Sequence, residues 1–243
     1  MAANFEAILF DLGGTLYSYS SIHRPLRKLI QEAAERLGSN KSKREVGKAY
    51  GEASERAWKA AAGLPYYRHR DIMVEGYRFF ADELGRHASG DFLEWMYETA
   101  RIVVLESFEL RDDCLTTLED LRNLGLGLAI VSNIDDDYLF PMIESCGIGP
   151  YVDRWTSSEE ATSCKPDPGF FLHCARLTDS SPEQILYVGD SPFHDVKGAK
   201  GVGMTAALIV EDGVTVPGQL SDDVPDPDFT IRRLSELLKI AGS

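Results

Sequence analysis

Cysteine is scarce in this sequence. The 243 residues contain four, at Cys114, Cys146, Cys164 and Cys174. None of them forms a Cys-x-x-Cys pair, and none has a histidine at zinc-finger spacing. The pattern argues against a zinc finger, and we expect reduced thiols that mostly pack in the interior.

Long apolar runs and positive charge are also lacking. No apolar run reaches the roughly 18 residues of a membrane span, and no basic stretch followed by an apolar segment opens the chain. Lys and Arg number 25 against 39 Asp and Glu, which gives a formal net charge of -14. Because this charge repels phosphate backbones and anionic membranes, we expect a protein that binds neither nucleic acid nor membrane. The lack of a leader and of a membrane span leads us to expect a cytoplasmic protein. A small anionic substrate is still compatible with it, since a metal ion and a few cations reverse the sign locally.

The hydrophobic pattern changes along the chain. From about residue 22 to residue 107, apolar residues recur at spacings of three and four, as in Leu26, Leu29, Ile30, Ala33 and Leu37. Breaks at 38–40, 63–65 and 85–90 divide this block into about four helices. A first strand is predicted at 7–10. Later strands are predicted at 126–131, near 155, at 185–188, at 205–210 and from 229, and they alternate with helices. Such alternation predicts a parallel sheet with helices on both faces, interrupted here by a helical insertion.

An aspartate follows the first predicted strand. Ala7 to Phe10 form a short apolar run, and Asp11 opens the Gly-rich turn that continues Leu-Gly-Gly-Thr. Parallel sheets bind ligands at the carboxyl ends of their strands. A carboxylate at that edge can attack phosphorus and form an aspartyl phosphate that water hydrolyses. Asp11 is therefore a candidate nucleophile, and a turn-capping aspartate is the simpler alternative.

Two further polar segments can contact a phosphoryl group. Ser132 and Asn133 end the strand at 126–131, where a hydroxyl and backbone amides can hold a phosphoryl oxygen near the start of the next helix. Lys165 precedes Pro166, which restricts its backbone to extended conformations. A fixed ammonium there would offset charge on the phosphoryl group and the nucleophile. Each segment alone also fits an ordinary turn.

The segment Val-Gly-Asp-Ser-Pro-Phe-His-Asp at 188–195 follows another predicted strand. Asp190 is placed to bind a hard cation together with Asp11, since Mg²⁺ takes oxygen ligands and keeps several waters. Asp195 would orient Lys165 or a metal-bound water. An acidic loop with a helix cap is the alternative, but the four features together favour a metal site.

In chain order these four segments resemble the motifs of the haloacid dehalogenase-like (HAD) hydrolase superfamily, whose first motif is usually Asp-x-Asp-Gly-Thr. The resemblance covers nearly the whole chain. It implies an α/β fold, with a Rossmann-like parallel sheet in a core domain at residues 1–17 and 108–243. It also implies an inserted all-helical cap domain of the C1 type at residues 18–107.

The resemblance further implies hydrolysis of a small phosphorylated metabolite through an aspartyl phosphate, with Mg²⁺ as cofactor. By this resemblance, Asp11 is the nucleophile, Lys165 balances its charge, and Thr15, Ser132 and Asn133 contact the phosphoryl group. The Mg²⁺ ligands are Asp11, Asp190 and the backbone carbonyl of Gly13. Asp195 is an orienting group.

The family pattern fails at Gly13, which stands where the second aspartate is usual. In family phosphatases that aspartate protonates the leaving oxygen and then activates water. General acid/base catalysis is worth about 10²- to 10⁴-fold, or roughly 3 to 5 kcal/mol of barrier. We therefore expect weakened hydrolysis that favours substrates with activated leaving groups. Alternatively, the substrate or the cap supplies the missing acid. In the cap, Tyr66 to Arg70 form a candidate cluster of tyrosine, arginine and histidine.

Other activities stay open. Phosphonatase relatives have a small residue at this position and form a Schiff base with a cap lysine, for which the candidates are Lys41, Lys43, Lys48 and Lys59. Dehalogenase relatives need no metal, which fits poorly with the retained metal-type loop. A third alternative is a binding module that holds Mg²⁺ and a phosphorylated ligand with little turnover. The physiological substrate and the oligomeric state do not follow from the sequence.

Overall fold

The computed structural model describes residues 5–213 and 223–242. The chain divides into two compact units. One consists of Met1–Tyr19 together with Glu109–Ser243, and the other is Ser20–Phe108. None of the helices in the described part of the chain is both long enough and apolar enough to cross a membrane.

A six-stranded parallel sheet forms the centre of the first unit. Its strands are β1 (Ala7–Phe10), β2 (Gly127–Ser132), β3 (Arg154–Ser157), β4 (Ile185–Gly189), β5 (Thr205–Ile209) and β6 (Phe229–Ile231). Their order is β3-β2-β1-β4-β5-β6, and every neighbouring pair is parallel. The α/β fold class predicted from the sequence is therefore confirmed.

The register of the sheet gathers the chemically important strand ends. All four residues of β1 are buried, as expected for a central strand covered on both faces. Phe10 pairs with Ile130 of β2 on one side and with Val188 of β4 on the other. The residues that follow these strands therefore meet at one edge of the sheet.

Strand β2 begins and ends one residue later than the sequence predicts. Its last residue, Ser132, pairs in register with Ser157 of β3. The backbone ladder therefore continues past the apolar run, because hydrogen bonding and not hydrophobicity sets the end of a strand.

The second unit is helical, as the periodicity predicts. Its helices are α1 (Tyr19–Arg36), which starts at the last residue of the first unit, α2 (Lys43–Ala61), α3 (His69–Glu83) and α4 (Gly90–Ser107). Ser42 and Glu45 form a reciprocal capping box at the start of α2. A Cβ atom built on Gly76 of α3 would lie 3.6 Å from the Cβ of Ala57, so small residues allow α2 and α3 to pack closely.

The helices that accompany the sheet are α5 (Cys114–Asn123), α6 (Asp136–Ser145), α7 (Ser158–Ala161), α8 (Pro168–Leu177), α9 (Lys197–Gly201) and α10 (Leu237–Ala241). The sequence predicts a short helix from Asp195, whereas a single π-helical turn at Pro192–Val196 precedes α9. The turn is wide because the Ser191 carbonyl accepts hydrogen bonds from the amides of both Asp195 and Val196.

The core of the first unit packs strands against the helices that follow them. Leu9 and Tyr187 lie in this cluster together with Phe170 and Phe171 of α8. Tyr187 is fully buried, and its hydroxyl points to Asp195 at 3.0 Å. The hydrophobic core therefore ends directly at the cluster of charged residues at the sheet edge.

Candidate active site

Asp11 stands directly after β1, and its backbone amide continues the sheet by donating to the Val188 carbonyl at 2.9 Å. The side chain is buried, and its Oδ1 accepts from Lys165 Nζ at 2.6 Å and from Ser132 Oγ at 3.0 Å. Thr15 Oγ1 lies 3.5 Å from Oδ2. Burial raises the pKa of Asp11, and the Lys165 ammonium and the Ser132 hydroxyl oppose that rise. Three residues predicted from separate motifs thus surround one carboxylate.

Lys165 joins two carboxylates. Its Nζ lies 2.6 Å from Asp11 Oδ1 and 2.7 Å from Asp195 Oδ1, and the side chain is only 3% exposed. Burial disfavours the ammonium, but the charges of Asp11 and Asp195 outweigh it and raise the pKa of Lys165. The residue therefore carries a fixed positive charge next to Asp11.

Asn133 holds the backbone of Lys165 from both sides. Its Oδ1 accepts from the Lys165 amide at 2.7 Å, and its Nδ2 donates to the Lys165 carbonyl at 3.0 Å. His194 Nδ1 lies 3.0 Å from the same carbonyl. The side chain of Asn133 therefore positions the lysine, a contact that the sequence did not predict, while its phosphoryl contact stays a prediction.

Asp195 is 1% exposed and is engaged through both oxygens. Oδ1 accepts from Lys165 and from the Tyr187 hydroxyl, and Oδ2 accepts from the Ser191 amide at 2.9 Å. A Cβ atom on Gly189 would overlap this carboxyl group. The glycine before Asp190 is thus required so that Asp195 can lie against the backbone.

Asp190 follows β4, and its carboxyl group lies against Gly14. A Cβ atom on Gly14 would overlap that carboxyl group, and the φ of Gly14 is +76°, which L side chains rarely adopt. Burial, followed by the charges of Asp11 and Asp195, raises the pKa of Asp190 well above its usual value. The Lys165 ammonium opposes this rise only in part, so the negative charge of Asp190 is incompletely compensated.

One oxygen from each of Asp11, Asp190 and Asp195 lies within 4.8 Å of the others. All three carboxylates are buried, and Lys165 is the buried cation beside them. Lys165 forms ion pairs with Asp11 and Asp195, so the excess of negative charge is centred on Asp190. Oxygen ligands and uncompensated negative charge are what a small divalent cation prefers, so the residues fit Mg²⁺.

Residues 5–203 match the model of a protein family described as haloacid dehalogenase-like hydrolase. The chain belongs to this family. It is 30% identical to ribulose-1,5-bisphosphate 5-phosphatase of Halopiger xanaduensis, over 97% of this chain and 99% of that protein. It is 28% identical to glyceraldehyde 3-phosphate phosphatase of Methanopyrus kandleri, over 97% of this chain and 96% of that protein. The protein is therefore an enzyme of the hydrolase class, and its relatives support a phosphatase.

Solved HAD structures share the fold over the whole chain. The HAD-hydrolase YfnB of Bacillus subtilis, whose crystal structure is bound to magnesium, matches with a TM-score of 0.79 at 20% identity and covers 99% of this chain and 100% of its own. A HAD phosphatase of Thermococcus onnurineus matches with a TM-score of 0.69 at 26% identity, and 98% of each chain is covered. The family assignment made from the sequence is confirmed.

In this HAD hydrolase, two tyrosine hydroxyl groups lie close to Gly13, the residue that stands where the second aspartate is usual. A Cβ atom on Gly13 would lie 2.8 Å from the Tyr19 hydroxyl and 3.2 Å from the Tyr17 hydroxyl. Burial and nearby carboxylates raise the pKa of both phenols above the usual value of 10.0. Sequence reasoning missed them because they belong to none of the family motifs, although they follow Gly13 by four and six positions.

Arg111 is a third residue that sequence reasoning missed. Its guanidinium donates to the Gly14 carbonyl at 2.6 Å, to the Thr15 carbonyl at 2.8 Å and to Glu211 at 3.0 Å. The planar group thereby holds the turn that follows Asp11 through a fork of donors. Only its position, shortly after the helical insertion, could have suggested it.

The predicted cluster from Tyr66 to Arg70 packs within the helical unit. Arg70 pairs with Glu94 at 2.6 Å, and the rings of Tyr67 and His69 lie 6.0 and 5.8 Å from Trp58. These contacts give the cluster a structural role in that unit. The candidate lysines of the phosphonatase alternative are all exposed, and Lys48 and Lys59 pair with neighbouring glutamates.

Proposed function

We propose that this HAD hydrolase is a Mg²⁺-dependent phosphatase that hydrolyses the phosphate ester of a small metabolite through an aspartyl phosphate on Asp11. The observation that carries the proposal is the arrangement around that carboxylate. Lys165 and Ser132 hold Oδ1, and Oδ2 lies on the side of Thr15. One oxygen is thereby fixed, and the other is left as the attacking atom.

Each neighbouring residue has a part in the proposed reaction. Asp11 Oδ2 attacks phosphorus while the Lys165 ammonium and the Ser132 and Thr15 hydroxyls stabilise the charge on the phosphoryl oxygens. Asp195 keeps the lysine in place through the 2.7 Å ion pair. Asp11, Asp190 and the backbone carbonyl of Gly13 would hold Mg²⁺, which supplies further positive charge to the phosphoryl group.

The named relatives support the substrate class. The proteins from Halopiger xanaduensis and Methanopyrus kandleri are named as phosphatases of ribulose bisphosphate and glyceraldehyde phosphate. From these relatives we carry over to this protein only the substrate class, which is a small phosphorylated metabolite. The net charge of -14 makes phosphorylated macromolecules poor substrates, because the surface repels them.

A screen of small phosphate esters with and without Mg²⁺ tests the proposal. We expect release of inorganic phosphate that needs Mg²⁺ and that Asp11→Asn abolishes. Asp212→Asn is the matched control, because that carboxylate is 89% exposed and pairs with Arg232, which is itself 64% exposed. Turnover by Asp11→Asn, or no turnover of any ester by the unchanged protein, would contradict the proposal.

Gly13 favours one second candidate, a binding module with little turnover. Calorimetry on the same esters distinguishes the two. Binding of an ester in the presence of Mg²⁺ without release of phosphate supports the module, and phosphate release removes it.

A further inference from the structure

We propose that the Tyr19 hydroxyl supplies the proton that Gly13 cannot. The inference rests on the proposed function, since it assigns the acid for departure of the alcohol from the ester. It places that acid at Tyr19, which is the first residue of α1 and belongs to the first unit, and not in the cluster from Tyr66 to Arg70 that the sequence suggested.

The position of the hydroxyl carries the inference. Bond lengths place the carboxyl oxygens of an aspartate roughly 2.4 Å from its Cβ atom. The Tyr19 oxygen lies 2.8 Å from where a Cβ on Gly13 would be, which is close to that reach. The backbone of Gly13 has no positive φ, so an aspartate would fit its conformation, and the phenol is what stands in the way.

The Tyr19 ring also adjoins the carboxylate cluster. Its Cε2 lies 2.8 Å from the position of a Cβ on Gly14, the glycine against which the Asp190 carboxyl group packs. The phenol therefore lies at the edge of the sheet where Asp11 follows β1. A tyrosine carries its proton at neutral pH and belongs to the groups that serve as general acids.

Tyr19 suits this role better than Tyr17. Tyr17 is 5% exposed, and backbone bridges connect it to Gly13 and Leu110. Tyr19 is closer to the Gly13 position and is partly exposed, whereas Tyr17 is buried. The two rings pack edge to face with centroids 5.7 Å apart, so Tyr17 supports Tyr19.

The proton balance closes over two steps. As Asp11 Oδ2 bonds to phosphorus, the bond from phosphorus to the ester oxygen breaks, and the departing alkoxide takes the Tyr19 proton to give an alcohol and a phenolate. Water then attacks the aspartyl phosphate, and the phenolate takes one proton from that water. Inorganic phosphate leaves, and the carboxylate and the phenol are restored.

Tyr19→Phe tests the assignment through dependence on the leaving group. We would measure kcat/KM with Mg²⁺ for glycerol phosphate, whose alkoxide needs a proton, and for para-nitrophenyl phosphate, whose phenolate leaves without one. We expect the first value to fall about 10²-fold or more and the second to change less than about 3-fold. Because the second step also loses its base, the aryl ester should show a burst of nitrophenol equal to the enzyme, followed by slow turnover.

Tyr17→Phe is the matched control and should leave the ratio of the two kcat/KM values unchanged. The assignment of Tyr19 would be overturned if Tyr19→Phe lowered kcat/KM equally for both esters or lowered it for neither. A ratio that changed only in Tyr17→Phe would also overturn it. Turnover of the aryl ester alone by the unchanged protein would overturn it as well. If the unchanged protein cleaves neither ester, the proposed function itself fails.

Moving the acid back to position 13 provides an independent test. We expect the double variant Gly13→Asp with Tyr19→Leu to cleave glycerol phosphate at least about 10²-fold faster than Tyr19→Leu alone. Gly13→Asp alone should gain less than the double variant gains, because its Cβ would lie 2.8 Å from the Tyr19 oxygen. A double variant no faster than Tyr19→Leu would contradict the shared position.

Discussion

At the scale of single residues, the site is defined by three buried carboxylates around one ammonium. The side chain of Lys165 is 3% exposed, and the side chains of its partners Asp11 and Asp195 are 8% and 2% exposed. Removing one partner of a buried ion pair leaves an uncompensated charge, which costs far more than the loss of an exposed pair. The lysine therefore contributes to stability as well as to the proposed chemistry.

We expect Lys165→Met to lower the free energy of unfolding by about 3 kcal/mol at neutral pH without Mg²⁺. Lys200→Met is the control, since Lys200 pairs with Asp228 at 2.7 Å but is 30% exposed, and we expect a change below about 1 kcal/mol. Urea unfolding measures both. Equal losses in the two variants would show that Lys165 is not holding buried charge.

Much of this site was predictable because its residues carry recognisable chemistry at strand ends. Asp11, Ser132 and Lys165 were predicted as neighbours, and they do meet. Asn133 and Tyr19 show the limit of the sequence, because the partners of an amide or a phenol depend on side-chain direction and not on a motif. Gly14 is similar, since only the structure shows that its hydrogen faces the carboxyl group of Asp190.

At the scale of elements, the turn after β1 depends on the chain segment that returns from the helical insertion. Arg111 donates to two carbonyls of that turn, and its own amide donates to the Leu16 carbonyl at 2.9 Å. Ser18 and Arg111 both contact Glu211, at 2.7 and 3.0 Å. The turn that carries Thr15 is thus fixed from outside its own sequence.

We expect Arg111→Lys to lower kcat/KM about 10- to 10²-fold, because lysine keeps the charge but cannot reproduce the fork and a small displacement of reacting groups is costly. Arg122→Lys is the control, as Arg122 bonds to the Pro150 carbonyl on the exposed surface. Steady-state kinetics on the ester found by the screen checks both. A loss no greater in Arg111→Lys than in Arg122→Lys would contradict the role.

The bounds of an element were predictable where hydrophobicity changes abruptly along the chain. They were missed where hydrogen bonds determine the residues at which the element begins and ends. The apolar runs located β1 and β4, whereas the π-helical turn at Pro192–Val196 arises from two amides that share the Ser191 carbonyl. No periodicity in five residues distinguishes such a turn from the start of an α-helix.

At the scale of the whole molecule, the four cysteines are free thiols, and three of them are buried. Burial, with smaller contributions from Cys146 and Asp113, raises the pKa of Cys114 from 9.0 to about 12. The folded protein therefore keeps a proton that the unfolded chain releases at lower pH.

We expect this thiol to make unfolding easier at alkaline pH. Its contribution to stability is complete below pH 9.0 and is lost as the pH rises towards about 12, with a slope of up to about 1.4 kcal/mol per pH unit for one proton. Urea unfolding across this range should show a decline that is smaller in Cys114→Ala. An identical decline in both proteins would assign the effect to other groups.

The central place of β1 has a consequence for biosynthesis. This strand leaves the ribosome before the other strands of the sheet, but its neighbours β2 and β4 follow only after all of α1 to α4 have been made. The sheet therefore cannot close around β1 until late in translation, whereas the helical unit needs only contacts within a continuous stretch of chain. Asp190 and Asp195 follow β4, so a nascent chain that ends before β4 has Asp11 and Lys165 but lacks the carboxylate that pairs with the lysine at 2.7 Å.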